Sequence, residues 1–279
     1  MNVHKTCGVW FSGRHLGLAN GIVSAGMALG FLLGSLLSAT VLSPWFGGWR
    51  QVMFLYGALS VIVGVFWTFT REAPGPEKAQ RGEERVLLRD GFPYVTRIRS
   101  VWLLGLTLFG ISGCIYGTLG YLPLYLRRVG WPEALADIAM ATFHGVSLVA
   151  TIPMVMLSDR LGSRKGILMV GTVMTFAGVA LLSLSGGNLV WAAVIIAGVV
   201  RDGFMGVLMT LILELKKVGT KYGGTAIGMV LLFSRLGSLL STPLGNSLAD
   251  FNLALPFIFW AALAVMGLFC LCFVKEIHS

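Results

Sequence analysis

Eight apolar runs of about membrane-crossing length dominate this chain, and they fix what it can fold into. They cover residues 17–41, 52–70, 101–126, 134–157, 166–186, 189–213, 223–243 and 253–274. A bilayer core is about 30 Å thick, so a helix of about 20 apolar residues crosses it. The runs are much longer than barrel strands and do not alternate with period two. They therefore predict an all-α membrane protein with eight transmembrane helices. Composition agrees: of 279 residues, 56% are apolar and 12% charged, with a mean hydropathy of +0.83. Soluble domains are about 25% charged.

The formal charge of +9 is spread between oily runs and forms no dense patch, so nucleic acid is not an expected partner. The expected surroundings are the lipid bilayer. The sixteen residues before the first run are polar and mixed, with no short apolar stretch leading to a small-residue cleavage site, so no signal peptide is read there. Cys7, Cys114, Cys270 and Cys272 show neither disulfide nor metal-ligand spacing. No cofactor or metal is expected.

Orientation follows from the loops. Lys5, Arg14, Arg71, Lys78, Arg81, Arg85, Arg89, Arg97, Arg99, Arg160, Arg164, Lys165, Lys216, Lys217, Lys221 and Lys275 fall in one alternate set, and Arg50, Arg127 and Arg128 in the other. Sixteen against three puts both termini in the cytoplasm, in the plasma (inner) membrane. Residues 71–100, with three prolines and many charges, are too polar to cross and read as a cytoplasmic linker. The expected organisation is two helices in 1–70, the linker 71–100, and six helices in 101–279.

An internal repeat supports this division. GLANGIVSAGMALGFLLG (17–34) aligns with GTAIGMVLLFSRLGSLLS (224–241), pairing Gly17 with Gly224, Ala19 with Ala226, Gly21 with Gly228, Val23 with Val230 and Gly30 with Gly237. The first run thus matches the seventh, six helices later and in the same orientation. Parallel six-helix halves are one way in which transporters are built.

A compact charged turn, SDRLGSRKG (158–166), separates the fourth and fifth runs. With the six-helix repeat and the linker, it resembles the major facilitator superfamily. Asp159-Arg160-Leu161-Gly162-Ser163-Arg164-Lys165 is similar to that family's G-x-x-x-D-R-x-G-R-R signature, departing at Val155 in place of the first Gly and at an extra Ser163. WFSGRHLGLANGIVSAG (10–26) is similar to its loop between the fourth and fifth helices, and Gly223 to Asp250 to its eleventh helix. The resemblance implies that the eight helices correspond to the family's fifth to twelfth, with the first four absent. It also implies that the turn is a latch holding one conformation. Asp159 is suited to accept from amides at a helix N-terminus, Arg160, Arg164 and Lys165 to pair with carboxylates or lipid phosphates, and Gly162 to tighten the backbone. The alternative is that the basic residues only anchor topology.

Arg201 and Asp202 lie in mid-span, as does Arg235. A central Arg costs about 3 kcal/mol to insert, so it turns to a protein interior or a watery cavity. The resemblance places Arg201 in the family's tenth helix, which lines the central cavity. Asp202 pairing with Arg235 across helices would leave Arg201 for an anionic solute; one structural ion network is the alternative. His144 is a candidate proton carrier, with protons as coupling ion, or a packing residue. Tyr116 and Tyr121 are candidate cavity groups or packing residues. Gly26, Gly30 and Gly34, and less regularly Gly113, Gly117 and Tyr121, repeat every four residues and read as close helix packing. The first run lacks the Gly-Pro pair of the family's drug–proton antiporters.

The expected function is secondary transport of a small, anionic solute by alternating access. A truncated remnant without transport activity, or a helical partner of another chain, is the alternative. An enzyme is not expected, because no metal, nucleophile or acid-pair motif is present.

Overall fold

The computed structural model describes residues 14–69, 88–184 and 187–274, with residues 14–21, 24, 39, 88–90, 159 and 219–221 described in their backbone only. All regular structure there is helical: α1 (Arg14–Leu37), α2 (Ser43–Phe46), α3 (Trp49–Thr68), α4 (Leu88–Val95), α5 (Arg99–Arg128), α6 (Glu133–Leu161), α7 (Arg164–Leu184), α8 (Leu189–Gly198), α9 (Arg201–Glu214), α10 (Gly219–Leu248) and α11 (Leu255–Cys272). Eight stretches among the described residues are long and apolar enough to cross a membrane, one for each expected run. The protein is an integral membrane protein.

The chain divides into two compact units, Met1–Glu84 and Arg85–Ser279. In the first, α1 runs through a π-turn at Ser38–Leu42 into α2, so its span reaches Phe46. Gly47 and Gly48, both at positive φ, turn the chain back into α3. Ser38 Oγ and Tyr56 Oη hydrogen-bond at 2.7 Å across the two spans. Trp45 and Trp49 are exposed around this turn, where their amphipathic rings suit a membrane interface. Within this unit no described atom lies within 4 Å of a Cβ built on Gly26, Gly30 or Gly34. The expected close packing of that glycine stripe is not found there.

The second unit is built around α5, which packs against α10 on one side and α11 on another. Glycines set these distances. A Cβ on Gly117 or on Gly245 would overlap the indole of Trp260, so the pair forms a seat for that fully buried ring. Its Nε1–H donates to the Ser241 carbonyl at 3.0 Å. A Cβ on Gly237 would run into the Phe109 backbone, and one on Gly110 into the Leu263 carbonyl. Small residues permit this backbone approach, and buried hydroxyls then bridge the helices. Ser112 and Ser234 meet at 2.6 Å, and Ser241 donates to the Gly113 carbonyl at 2.8 Å. Tyr121 belongs to this packing: it is buried, meets Phe257 at a tilt and Trp260 edge-on, and donates to the Leu253 carbonyl at 3.3 Å.

Two features depart from the sequence expectations. Residues 88–95 of the expected linker form the short helix α4, on which Tyr94 stacks against Tyr222 of α10 at 4.2 Å; residues 70–87 lie outside the described residues. The run 189–213 is one apolar stretch but two helices, α8 and α9, interrupted at Val199 and Val200. Gly198 marks the interruption, its Cα held against the Phe143 backbone of α6.

Candidate functional site

The interruption between α8 and α9 leaves the first amides of α9 without helical partners in mid-membrane. Ser147 of α6 meets this need from across the interface. Its Oγ accepts the Asp202 amide N–H at 3.1 Å, and its hydroxyl donates to Asp202 Oδ2 at 2.8 Å. Ser147 thus caps a helix to which it does not belong. It was missed in the sequence because a lone serine in an oily run reads as filler. The available signal was its spacing: three residues after His144, on the same face of one helix.

Arg201 and Asp202 form an ion pair, Nη1 to Oδ1, at 3.4 Å. Adjacent positions on a helix point about 100° apart, but the long arginine side chain folds back to its neighbour. This replaces the expected pairing of Asp202 with Arg235. Arg201 is 8% exposed, and its Nη1 also meets His144 Nδ1 at 3.2 Å, His144 being 1% exposed. The guanidinium lies 6.0 Å from the Tyr116 ring of α5, at the outer limit for a cation–π contact. Three helices therefore bring Tyr116, His144, Ser147, Arg201 and Asp202 to one point near mid-span.

Arg235 lies elsewhere. It is exposed on α10, two residues before Gly237, which abuts Phe109. Its neighbours Ser234 and Gly237 meet Ser112 and Phe109, so Arg235 sits about one to two turns of α5 before the level of Tyr116. It shares a face with Gly224, Gly228, Ser238, Thr242 and Asn246, all exposed or half-buried. This stripe sits in a membrane span, where a lipid-facing Arg is costly.

The charged turn is built from helix ends. Gly162 terminates α6 in the left-handed conformation, φ +62, and donates its amide to the Ser158 carbonyl at 3.2 Å. Ser163, the extra residue in the motif, accepts the Gly166 amide at 3.2 Å and so caps the start of α7. Arg164 donates to Ser158 Oγ at 3.1 Å and to Glu214 Oε1, at the end of α9, at 3.3 Å. Lys165 Nζ donates to the carbonyls of Cys272 at 2.8 Å and Val274 at 2.7 Å, placing a cation on the C-terminus of α11. Arg160 is exposed. The Asp159 side chain lies outside the described residues.

Comparison with known proteins gives three results. A family model for the Major Facilitator Superfamily matches residues 3–212 and, in an overlapping match, 129–278. An uncharacterized protein of Archaeoglobus fulgidus is 27% identical over 202 residues, 72% of this chain and 90% of that protein. Among solved structures, the E. coli fucose:proton symporter superposes with a TM-score of 0.64 at 15% identity, covering 98% of this chain and 70% of that one. A bacterial homolog of the human lysosomal transporter Spinster, inward-facing and unoccupied, gives 0.62 at 18% identity over 97% and 71%. At these identities the structural likeness is one of fold.

Proposed function

Since the chain belongs to the Major Facilitator Superfamily, a family of secondary transporters, we propose that it moves a small anionic solute across the membrane by alternating access. The observation that supports this is the buried cation in mid-span, Arg201, beside the partly exposed Tyr116. Charged residues at that depth face the bundle interior or a watery cavity and mark substrate or ion pathways. In this reading Tyr116 and the polar stripe of α10 line the route to it, with Arg235 as an approach charge and not a direct ligand. The basic turn, through Arg164 and Lys165, ties α7 to the ends of α9 and α11 and acts as the latch.

The test is uptake. The full chain is reconstituted in liposomes and offered radiolabelled mono- and dicarboxylates, amino acids and neutral sugars. Uptake of an acid that falls at least tenfold in Arg201→Ala supports the reading. Background uptake across the panel, or an Arg201→Ala variant equal to wild type, overturns it. A second reading, an uncharged hydroxylated solute, is favoured by the Asp202 carboxylate already facing Arg201; preferential sugar uptake would establish it.

The charge asymmetry of the loops supports a cytoplasmic position for the turn and both termini in a plasma (inner) membrane. Leu161, exposed beside the turn, gives a reporter. In a background without native cysteines, Leu161→Cys should react with an impermeant thiol reagent only after the cells are permeabilised. Labelling of intact cells would reverse the orientation.

A further inference from the structure

The contact between His144 and Arg201 carries more than packing. A guanidinium donates hydrogen bonds and accepts none, so His144 Nδ1, at 3.2 Å from Arg201 Nη1, supplies a lone pair. The imidazole is therefore neutral in this state, with its proton on Nε2. A proton arriving from water at Nδ1 removes that acceptor. The ring then carries N–H groups at both nitrogens and sets a second positive charge against Arg201. Proton and guanidinium compete for one atom.

Among the described residues of this unit, the following ionisable groups share the surroundings of this atom. α6 packs against α5, α7, α8 and α9. α9 supplies Arg201 and Asp202 at this level, and α5 supplies Tyr116. α8 carries no ionisable residue, and those of α7 are Arg164 and Lys165, at the turn. On α6 itself, Asp137 is paired with Arg127 at 2.9 Å, about two turns away. With His144 neutral, the Arg201–Asp202–His144 cluster has no net formal charge.

We infer that His144 couples a proton to the solute anion at Arg201: the proton takes Nδ1, and the anion takes the guanidinium donor that Nδ1 gives up. The inference rests on the reading of Arg201 as the solute contact. One proton and one monoanion together return the cluster to zero net charge, so the loaded and empty sites differ least in buried charge. A dianion with one proton would leave a net negative charge in mid-membrane. The cargo is accordingly a monovalent acid anion, carried with one proton in the same direction and without net charge movement.

The experiment reads the imidazole directly. Full-length protein with 15N-labelled histidine is placed in lipid nanodiscs, and the His144 signals are identified as those lost in His144→Gln. At neutral pH the expected pattern is the Nε2–H tautomer, with Nδ1 unprotonated. At a fixed, mildly acidic pH, sodium formate, the smallest carboxylate monoanion, should convert the signal to the doubly protonated form, whereas glycerol should not. Arg201→Ala should lose this response, and Arg201→Lys, which keeps the cation, should retain part of it. An Nδ1–H tautomer in the wild type, no response to formate, or an undiminished response in Arg201→Ala overturns the coupling. The two readings fail separately. If the uptake panel finds a solute but His144 ignores formate, the coupling is wrong and the site stands. If His144 responds but the panel finds no solute, the transport reading falls alone.

Discussion

The repeat-related glycines Gly30 and Gly237 stand in opposite surroundings, and alanine at each tests the packing argument. In α10, a Cβ on Gly237 would lie 2.9 Å from both the Cα and the carbonyl carbon of Phe109, and closer still to its oxygen. Both sides of this contact are backbone, so no side chain can turn aside. Restoring ordinary contact requires α5 and α10 to part by about 1 Å, the kind of overpacking that costs about 1–3 kcal/mol. The same movement stretches the Ser112–Ser234 and Ser241–Gly113 hydrogen bonds, now 2.6 and 2.8 Å. Interhelical bonds of this type in membranes contribute about 0.6 kcal/mol each. Gly237→Ala should therefore destabilise the protein by about 2–4 kcal/mol. Cys114, fully buried on α5 beside this interface, provides the readout: with the other cysteines replaced, its labelling rate under increasing denaturant reports opening of the bundle. Gly228→Ala, with nothing within 4 Å of the new methyl, is the control and should match wild type. A Gly237→Ala protein within about 0.5 kcal/mol of wild type, the ordinary range for surface changes, would refute the reasoning. Gly30→Ala, whose methyl meets no described atom of the first unit within 4 Å, should be equally silent, and a loss of stability there would refute the packing argument for that position.

Three further outcomes follow from the site and the turn. Asp202→Asn keeps an acceptor for Ser147 but removes the carboxylate charge paired with the buried Arg201, so the same labelling assay should show a loss of about 3–5 kcal/mol. Ser147→Ala removes two hydrogen bonds that cap α9 and should cost about 1–2 kcal/mol by the same measurement; a neutral result would mean that α9 needs no cap. Lys165→Met should speed hydrogen exchange at the end of α11 without affecting the centre of α5, because Lys165 Nζ holds the Cys272 and Val274 carbonyls.

The eight spans were legible in the sequence because bilayer thickness imposes a run length that nothing else in the chain imitates. What lies inside a span was less legible. The interruption at Val199–Val200 is hidden by β-branched apolar residues, and no proline announces it; its cause, the Phe143 backbone against Gly198, comes from another helix. Of the two expectations, Asp202 paired with Arg235 or one network of all three charges, neither foresaw Arg201 folding back on its own neighbour, because the rule that adjacent positions diverge concerns Cβ directions and a long guanidinium evades it. Glycine spacing in α5 did mark close contacts at Gly113 and Gly117, while the same spacing at Gly26, Gly30 and Gly34 marked none within the first unit. Spacing shows where a helix is able to be approached; a partner decides whether it is. Ser163 looked like a departure from a motif and is a helix cap, a role that becomes visible only with the amide of Gly166 in place.

The cap that α6 provides for α9 also bears on synthesis. Ser147 precedes Asp202 by 55 residues. At about 5–20 residues per second, α6 leaves the ribosome roughly 3–11 s before the charged pair does. A segment with both Arg and Asp near its centre is a poor candidate for release into lipid by itself. Here the helix that satisfies those charges is already in the bilayer when they arrive, so the insertion of the sixth span is conditional on the fourth. The order of helices along the gene is then part of the chemistry of the site: moving α6 downstream of α9 would preserve every contact in the finished bundle and remove the means of making it.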